Sequence, residues 1–180
     1  MGIFDFFKKK EEKYDALNIK VTDIDMGFVF DYNMETWMVT QVFDYDWGNN
    51  NFSKEFKIEN GKDSAFLNID QDDELTITIS SPIKIGIIEE DIAHEIEFNQ
   101  HPPKELNYKG RKYFFDEESP GFFRADEKED WIEFISWDYY DEKDEYILSI
   151  EQWDERKYTA SHGVVVPEFE ISNILPKQSQ

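Results

Sequence analysis

Glu145–Trp153 reads EYILSIEQW and is the clearest β-strand signal in the chain. Aromatic, branched and long aliphatic side chains dominate this stretch, and such residues fit a pleated, half-buried surface. The preceding Glu142–Asp144 is a turn by composition, and Trp131–Tyr140 before it is rich in aromatic and apolar residues, so the two stretches predict a hairpin. Arg156–Ser161 and Val164–Val166 are predicted to continue the same sheet.

A similar run of strands is predicted in the first half of the chain. Thr36–Phe43 is rich in β-branched and aromatic residues, and Phe52–Glu59 alternates between apolar and polar side chains. The candidates for the buried side of that second strand are Phe52, Phe56 and Ile58. Asn60-Gly61, which follows directly, is the strongest short hairpin signal in the chain.

The two runs resemble each other. Phe66–Asp70 is similar to Tyr146–Glu151, and Phe30–Tyr32 is similar to Leu106–Tyr108. Each run alone is too small to bury a good core, so we predict a mainly β fold of two similar antiparallel β-meanders packed as a barrel or sandwich. The predicted organisation is an amphipathic N-terminal segment and linker (1–15), a first meander (16–84), a connector (85–104), a second meander (105–176) and a tail (177–180).

The connector interrupts the β-pattern. Ile88, Ile92 and Ile96 lie four positions apart, which predicts one short helix between the meanders. Pro102-Pro103 is expected to end it, because proline cannot continue a helix.

Composition limits the class of protein. The net charge of −22 repels phosphate backbones, so we do not expect nucleic acid as a partner. Aromatic residues make up 17% of the chain, which favours a folded domain over an acidic disordered one. The absence of cysteine excludes a thiolate nucleophile and Cys-type metal sites, and fits a cytoplasmic location.

The N-terminal stretch MGIFDFFKKK differs from the acidic remainder. On a short helix its apolar residues share one face, and lysines follow them; these residues are Ile3, Phe4, Phe6, Phe7, Lys8, Lys9 and Lys10. This pattern is typical of a helix lying on an anionic membrane surface or in a partner's groove. The alternative is that Phe4 and Phe7 pack into the domain's own core, and the sequence leaves both open.

Groups capable of catalysis converge poorly along the chain. No phosphate-binding glycine loop or nucleophile elbow occurs, so we predict neither enzyme activity nor a cofactor. A crowded hairpin supplies weak candidates for a divalent-metal or polyamine site, namely Asp138, Asp141, Asp144 and Glu145. The alternative is a charged hairpin tip that prevents edge aggregation. Glu151 is predicted either to point inward and pair, with Arg124 or Arg156 as candidate partners, or to be exposed.

Aromatic residues are the remaining functional signal. Most are expected in the core, but a surplus of Trp and Tyr on one rim is typical of a protein-binding surface. The candidate partner-binding residues are Trp131, Trp137, Tyr139 and Tyr140.

An ordered set of motifs over residues 20–175 resembles a bacterial family of unknown function, numbered four-one-seven-eight. Trp37–Thr40 matches an early stretch, Tyr108–Tyr113 matches a Tyr-x-Gly-x-x-Tyr turn, and Leu148–Trp153 with Gly163 follows in order. Phe52 and Phe66 stand where the family pattern has Trp. The resemblance implies an intracellular β-rich domain with no assigned activity. It also implies a genomic neighbourhood of membrane-stress coat proteins and polyamine-synthase-like enzymes.

These observations lead to one hypothesis and one alternative. The hypothesis is a non-catalytic adaptor of a bacterial membrane-associated or stress-related complex, held at the inner face of the membrane by residues 1–10. The alternative is an acidic domain that binds small cations. The sequence leaves the oligomeric state open.

Overall fold

The computed structural model describes Asp15 and residues 18–71, 74–89, 91–126 and 128–177. Residues 1–14 lie outside this part of the chain, and the predicted N-terminal helix and the docking residues Ile3 to Lys10 lie there with them. Among the described residues, no helix has the length and apolar character needed to cross a bilayer.

The described residues form a mainly β structure with one short α-helix, as predicted. The elements are β1 (Val29–Tyr32), β2 (Glu35–Asp46), β3 (Phe52–Glu59), β4 (Ser64–Gln71), β5 (Leu75–Ile83), α1 (Ile92–Asn99), β6 (Glu105–Tyr108), β7 (Arg111–Arg124), β8 (Ile132–Asp141), β9 (Tyr146–Asp154), β10 (Lys157–Val165) and β11 (Ser172–Leu175). The helix lies in the predicted connector and buries Ile92 and Ile96.

All eleven described strands belong to one antiparallel sheet, in the order β11-β1-β2-β3-β4-β5-β10-β9-β8-β7-β6. Strands β1 to β5 pair with their neighbours in sequence, and so do β6 to β10. Two further pairings, β5 with β10 and β2 with β7, join the two runs. The hydrogen bonding is therefore ring-like, although the sheet is not a regular barrel.

Two of the predicted turns show why the hairpins form where they do. In the β3–β4 turn, the side-chain oxygen of Asn60 accepts hydrogen bonds from the backbone N–H groups of Lys62 and Asp63, and Gly61 has a φ of 87°. In the β6–β7 turn, Lys109 and Gly110 have φ values of 50° and 75°. Positive φ at both central residues suits a tight hairpin, and glycine adopts it without strain.

Alternation along the strands gives the sheet two faces. One face carries two separate hydrophobic cores. The first core includes Phe30, Val39, Phe56, Ile58, Leu67, Ile77 and Ile79. The second core lies under α1 and includes Trp137, Tyr139, Leu148, Ile150 and Leu106. The opposite side chains, such as Tyr45, Glu55, Phe134 and Glu151, face the space that the ring encloses, and we call this the inner face.

Candidate functional site

The inner face is lined by an aromatic cluster to which β2, β7, β8 and β9 each contribute a ring. Tyr45 packs edge-on against Phe123 and Phe134, with ring centroids 5.4 and 5.6 Å apart. Phe134 stacks on Trp153 at 4.9 Å. Because these rings come from strands of both meanders, they hold the two halves of the ring together.

Two glutamates lie beside this cluster on strands from opposite sides of the ring. The Tyr45 hydroxyl donates to Glu55 at 3.0 Å. Burial, and then the negative charge of Glu151, raise the pKa of Glu55 to about 7. Burial also raises the pKa of Glu151, which accepts hydrogen bonds from Thr159 at 2.8 Å and from Trp153 at 3.2 Å.

The prediction that Glu151 points inward and pairs is therefore confirmed, but both suggested partners were wrong. Arg124 bonds Asp44 instead, and Arg156 lies 4.0 Å from Glu97. Uncharged donors reach Glu151 instead, one from Trp153 on β9 itself and one from Thr159 on the neighbouring strand β10.

The acidic residues of the predicted cation site do not converge. Asp138 lies on the inner face, where burial raises its pKa to about 6, and its carboxylate is 3.4 Å from the Ser136 hydroxyl. Asp144 and Glu145 are exposed at the β8–β9 turn. Among the described residues, no group of three or more His, Asp or Glu side chains is arranged to hold a metal ion.

Asp141 has a structural partner set of its own. It is 4% exposed, forms an ion pair with Arg111, and accepts hydrogen bonds from the backbone N–H groups of Glu145 and Tyr146 at 2.8 and 3.0 Å. Burial alone would raise the pKa of Asp141, but these two N–H donors and the Arg111 guanidinium together lower it. Asp141 thus braces the β8–β9 hairpin.

Replacing Asp141 by alanine should lower the free energy of unfolding by about 2 kcal/mol, because two backbone donors and one guanidinium lose their acceptor. Urea denaturation followed by tryptophan fluorescence measures this. Glu142→Ala, an exposed change in the same turn, is the matched control and should have little effect. Calcium that raises the melting temperature of the wild type but not of Asp141→Ala would contradict the structural role.

The structure corrects two of the four predicted partner-binding aromatics. Trp137 and Tyr139 are 1% and 0% exposed in the second core, where Trp137 donates to Glu118 at 2.7 Å and Tyr139 to the Pro103 carbonyl at 2.8 Å. Both alternate with inner-face residues on β8, and α1 covers their side of the strand. Tyr140 lies on the inner side of β8, where burial raises its pKa.

Trp131 is exposed, and it lies at the junction of the two meanders. Register places Asp44 opposite both Lys54 and Arg124, so these side chains share the face opposite to Tyr45. Arg124 donates to Asp44 at 2.7 Å, and its guanidinium lies 4.4 Å from the centre of the Trp131 ring. We call the surface formed by Asp44, Phe52, Phe122, Arg124 and Trp131 the seam surface.

The seam surface combines exposed rings with a cavity. Phe52, Phe122 and Trp131 are 61%, 43% and 38% exposed. A cavity of about 760 Å³ lies beside them, lined among others by Ile24, Phe56, Phe52, Arg124 and Trp131. We call this cavity the seam cleft, and its volume is within the range of about 300–1,000 Å³ that is typical of ligand pockets.

Phe52 was predicted to be buried, and this was wrong. It shares a strand face with the buried Phe56 and Ile58, but it begins β3 at a point beyond the first core. Phe122 and Arg124, which lie on the same surface as Trp131, were not predicted as surface residues. The alternation of β7 was visible in the sequence, but its pairing with β2 was not.

Comparison with known proteins identifies the family of this chain. The family model described as Domain of unknown function (DUF4178) matches residues 25–168. The chain belongs to this family. It is also similar to an uncharacterized protein of Aquifex aeolicus (strain VF5), with 28% identity over 173 residues that cover 95% of this chain and 94% of that protein. No solved structure matches the chain.

Family membership confirms the resemblance seen in the sequence, and the structure shows what one motif builds in this DUF4178 domain. The Tyr-x-Gly-x-x-Tyr turn brings Tyr108 and Tyr113 against His162 of β10. The Tyr113 hydroxyl lies 2.8 Å from His162 Nε2. Burial, and then the charges of Lys109 and Arg111, lower the pKa of His162. The motif thus fixes the beginning of β7 to β10 beside the second core.

Proposed function

We propose that this DUF4178 domain is a non-catalytic adaptor that binds a protein partner through the seam surface. The observation that carries the proposal is the grouping of Phe52, Phe122 and Trp131 on one face beside a cleft. Aromatic and arginine side chains are enriched in protein interfaces, and well-packed examples contribute most of the binding energy. Arg124, held between Asp44 and Trp131, supplies such a pre-oriented side chain.

The two meanders are, in this proposal, related halves that meet at the seam surface. Each half begins with a four-residue strand, β1 or β6, and continues with a long strand, β2 or β7. Two of the pairings that join the halves unite equivalent strands, β2 with β7 and β5 with β10. In this arrangement Phe52 and Trp131 flank the junction from the two halves.

Residues 1–10 complete the proposal as a docking segment. Their apolar face and three lysines suit an anionic membrane surface, which would hold the adaptor at the inner face of the membrane beside a coat or stress complex. Co-sedimentation of the full chain with anionic vesicles, compared with a chain lacking residues 1–10, tests this part separately.

The small-cation alternative has less support at the site first suggested. Asp141 is occupied by Arg111 and two backbone donors, and Asp138 lies on the other side of the hairpin's base, on the inner face. Calorimetry with spermidine or calcium tests this alternative directly.

Trp131→Ala and Phe52→Ala should each weaken partner binding by at least about 30-fold, because truncating a central aromatic anchor costs about 2 kcal/mol or more. The partner is first recovered by cross-linking in cells, and its dissociation constant is then measured with purified proteins. Phe98→Ala is the matched control, since Phe98 is 81% exposed on α1 and lies outside the seam surface. Equal weakening by Phe98→Ala, or none by the seam variants, would reject the proposal.

A further inference from the structure

The seam cleft has the chemistry of a receptor for a basic segment with apolar anchors. Its lining includes Asp23, Asp25, Asp44 and Asp70 against two cations, Lys54 and Arg124, which leaves an excess of two negative charges. Apolar side chains form the rest of the wall, among them Ile24, Phe52, Phe56, Ile69 and Trp131. An occupant that buries aromatic side chains and carries lysines would complement both parts.

We infer that the occupant of the seam cleft is the chain's own segment Ile3–Lys10. This sequence, IFDFFKKK, has three phenylalanines and an isoleucine followed by three lysines. The cleft is lined by Thr22–Asp25, so it opens close to the start of the described domain. Eleven positions separate Phe7 from Asn18, and such a length of chain spans up to about 36 Å when extended.

The consequence of this inference rests on the proposed function. If the seam surface binds a partner, then the docked segment blocks that binding, and the domain is autoinhibited. The same phenylalanines do not fit into the cleft and into a membrane at one time. Docked in the cleft, the segment covers Phe52 and Trp131; bound to an anionic membrane, it leaves them free for a partner. Membrane binding would therefore switch on partner binding.

Cross-linking in the full chain tests the inference. Because the sequence contains no cysteine, only the two introduced thiols can react. One variant carries Lys8→Cys and Gln71→Cys, the latter at an exposed position that lines the cleft. The matched control carries Lys8→Cys and Asn107→Cys, the latter exposed on β6 in the other half. Both are treated at low micromolar concentration with a short bis-maleimide, and the monomeric cross-linked product is measured by mass spectrometry.

We expect the cleft pair to cross-link about tenfold faster than the control pair, because docking raises the local concentration of the thiol introduced by Lys8→Cys at the cleft rim. Phe4→Ser with Phe7→Ser should abolish the difference, and so should vesicles of anionic lipid. Equal rates for the two pairs would overturn the inference, and so would a cross-linked dimer in place of the monomer. Neither result involves a partner protein, so the inference and the proposed adaptor function fail separately.

Discussion

Replacing Gly163 by valine is expected to destabilise this domain more than Asp141→Ala does. A Cβ atom at Gly163 would lie 2.5 Å from the Ile79 carbonyl oxygen and 2.8 Å from the Cα atom of Ser80. Both neighbours are backbone of β5, so no side chain can move aside to make room. Gly163 lies in the β5–β10 pairing, which joins the first meander to the second.

The expected loss for Gly163→Val is about 3 kcal/mol in the free energy of unfolding, which is the upper end for overpacking a well-packed interior. For a domain of marginal stability this is a large share of the total. Urea denaturation followed by fluorescence and circular dichroism measures it. Gly86→Ala is the control, since a Cβ there meets no atom within 4 Å and the φ of Gly86 is not in the left-handed region. A Gly163→Ala variant as stable as the wild type would contradict the close approach of β10 to β5.

The second large expected effect is a loss of stability as the pH rises from 4.5 to 8, caused in part by Glu55. Burial and the charge of Glu151 raise the pKa of Glu55 from 4.5 to about 7. Below pH 4.5 Glu55 is neutral in both the folded and the unfolded protein. Between pH 4.5 and about 7 the unfolded chain releases the Glu55 proton while the folded domain retains it, so the free energy of unfolding falls. Above pH 7 the folded domain carries the full free-energy cost of ionising buried Glu55. The difference of about 2.5 between its folded and unfolded pKa values corresponds to about 3 kcal/mol.

Glu55→Gln removes this cost, since the amide is never ionised and its oxygen still accepts from Tyr45. The variant should be more stable than the wild type at pH 8, by up to about 3 kcal/mol, and nearly equal to it at pH 4.5. Asp138→Asn should act in the same direction, because burial raises the pKa of Asp138 to about 6. Glu142→Gln removes a charge from an exposed turn and serves as the control. A Glu55→Gln variant that gains nothing at pH 8 would show that the inner face stays hydrated.

Local signals in the sequence predicted the hairpins well. Asn60-Gly61 and Lys109-Gly110 form turns through local chemistry: Asn60 accepts hydrogen bonds from the backbone N–H groups of Lys62 and Asp63, and Gly61 and Gly110 take the positive φ of the turn without strain. The helix predicted from Ile88, Ile92 and Ile96 forms from Ile92 onward, since residues four apart share one face of a helix. Family membership could also be predicted from the ordered motifs.

The site was harder to predict, because exposure depends on what covers a strand. Trp137 and Trp131 looked equally suitable as partner contacts in the sequence. In the structure α1 covers the side of β8 that carries Trp137, whereas Trp131 precedes β8 and lies against Arg124. Nothing in the alternation of β8 distinguishes these two positions.

The sequence by itself determined the β-class, the places where the chain turns and the sets of side chains that share a strand face. It did so because strand alternation and turn chemistry act between residues a few positions apart. Only the tertiary structure decided which face is enclosed and which residues form the seam surface. Those properties follow from the pairing of β2 with β7, which brings Asp44 to Arg124 across 80 positions of sequence. Such long-range contacts depend on the packing of both halves at once.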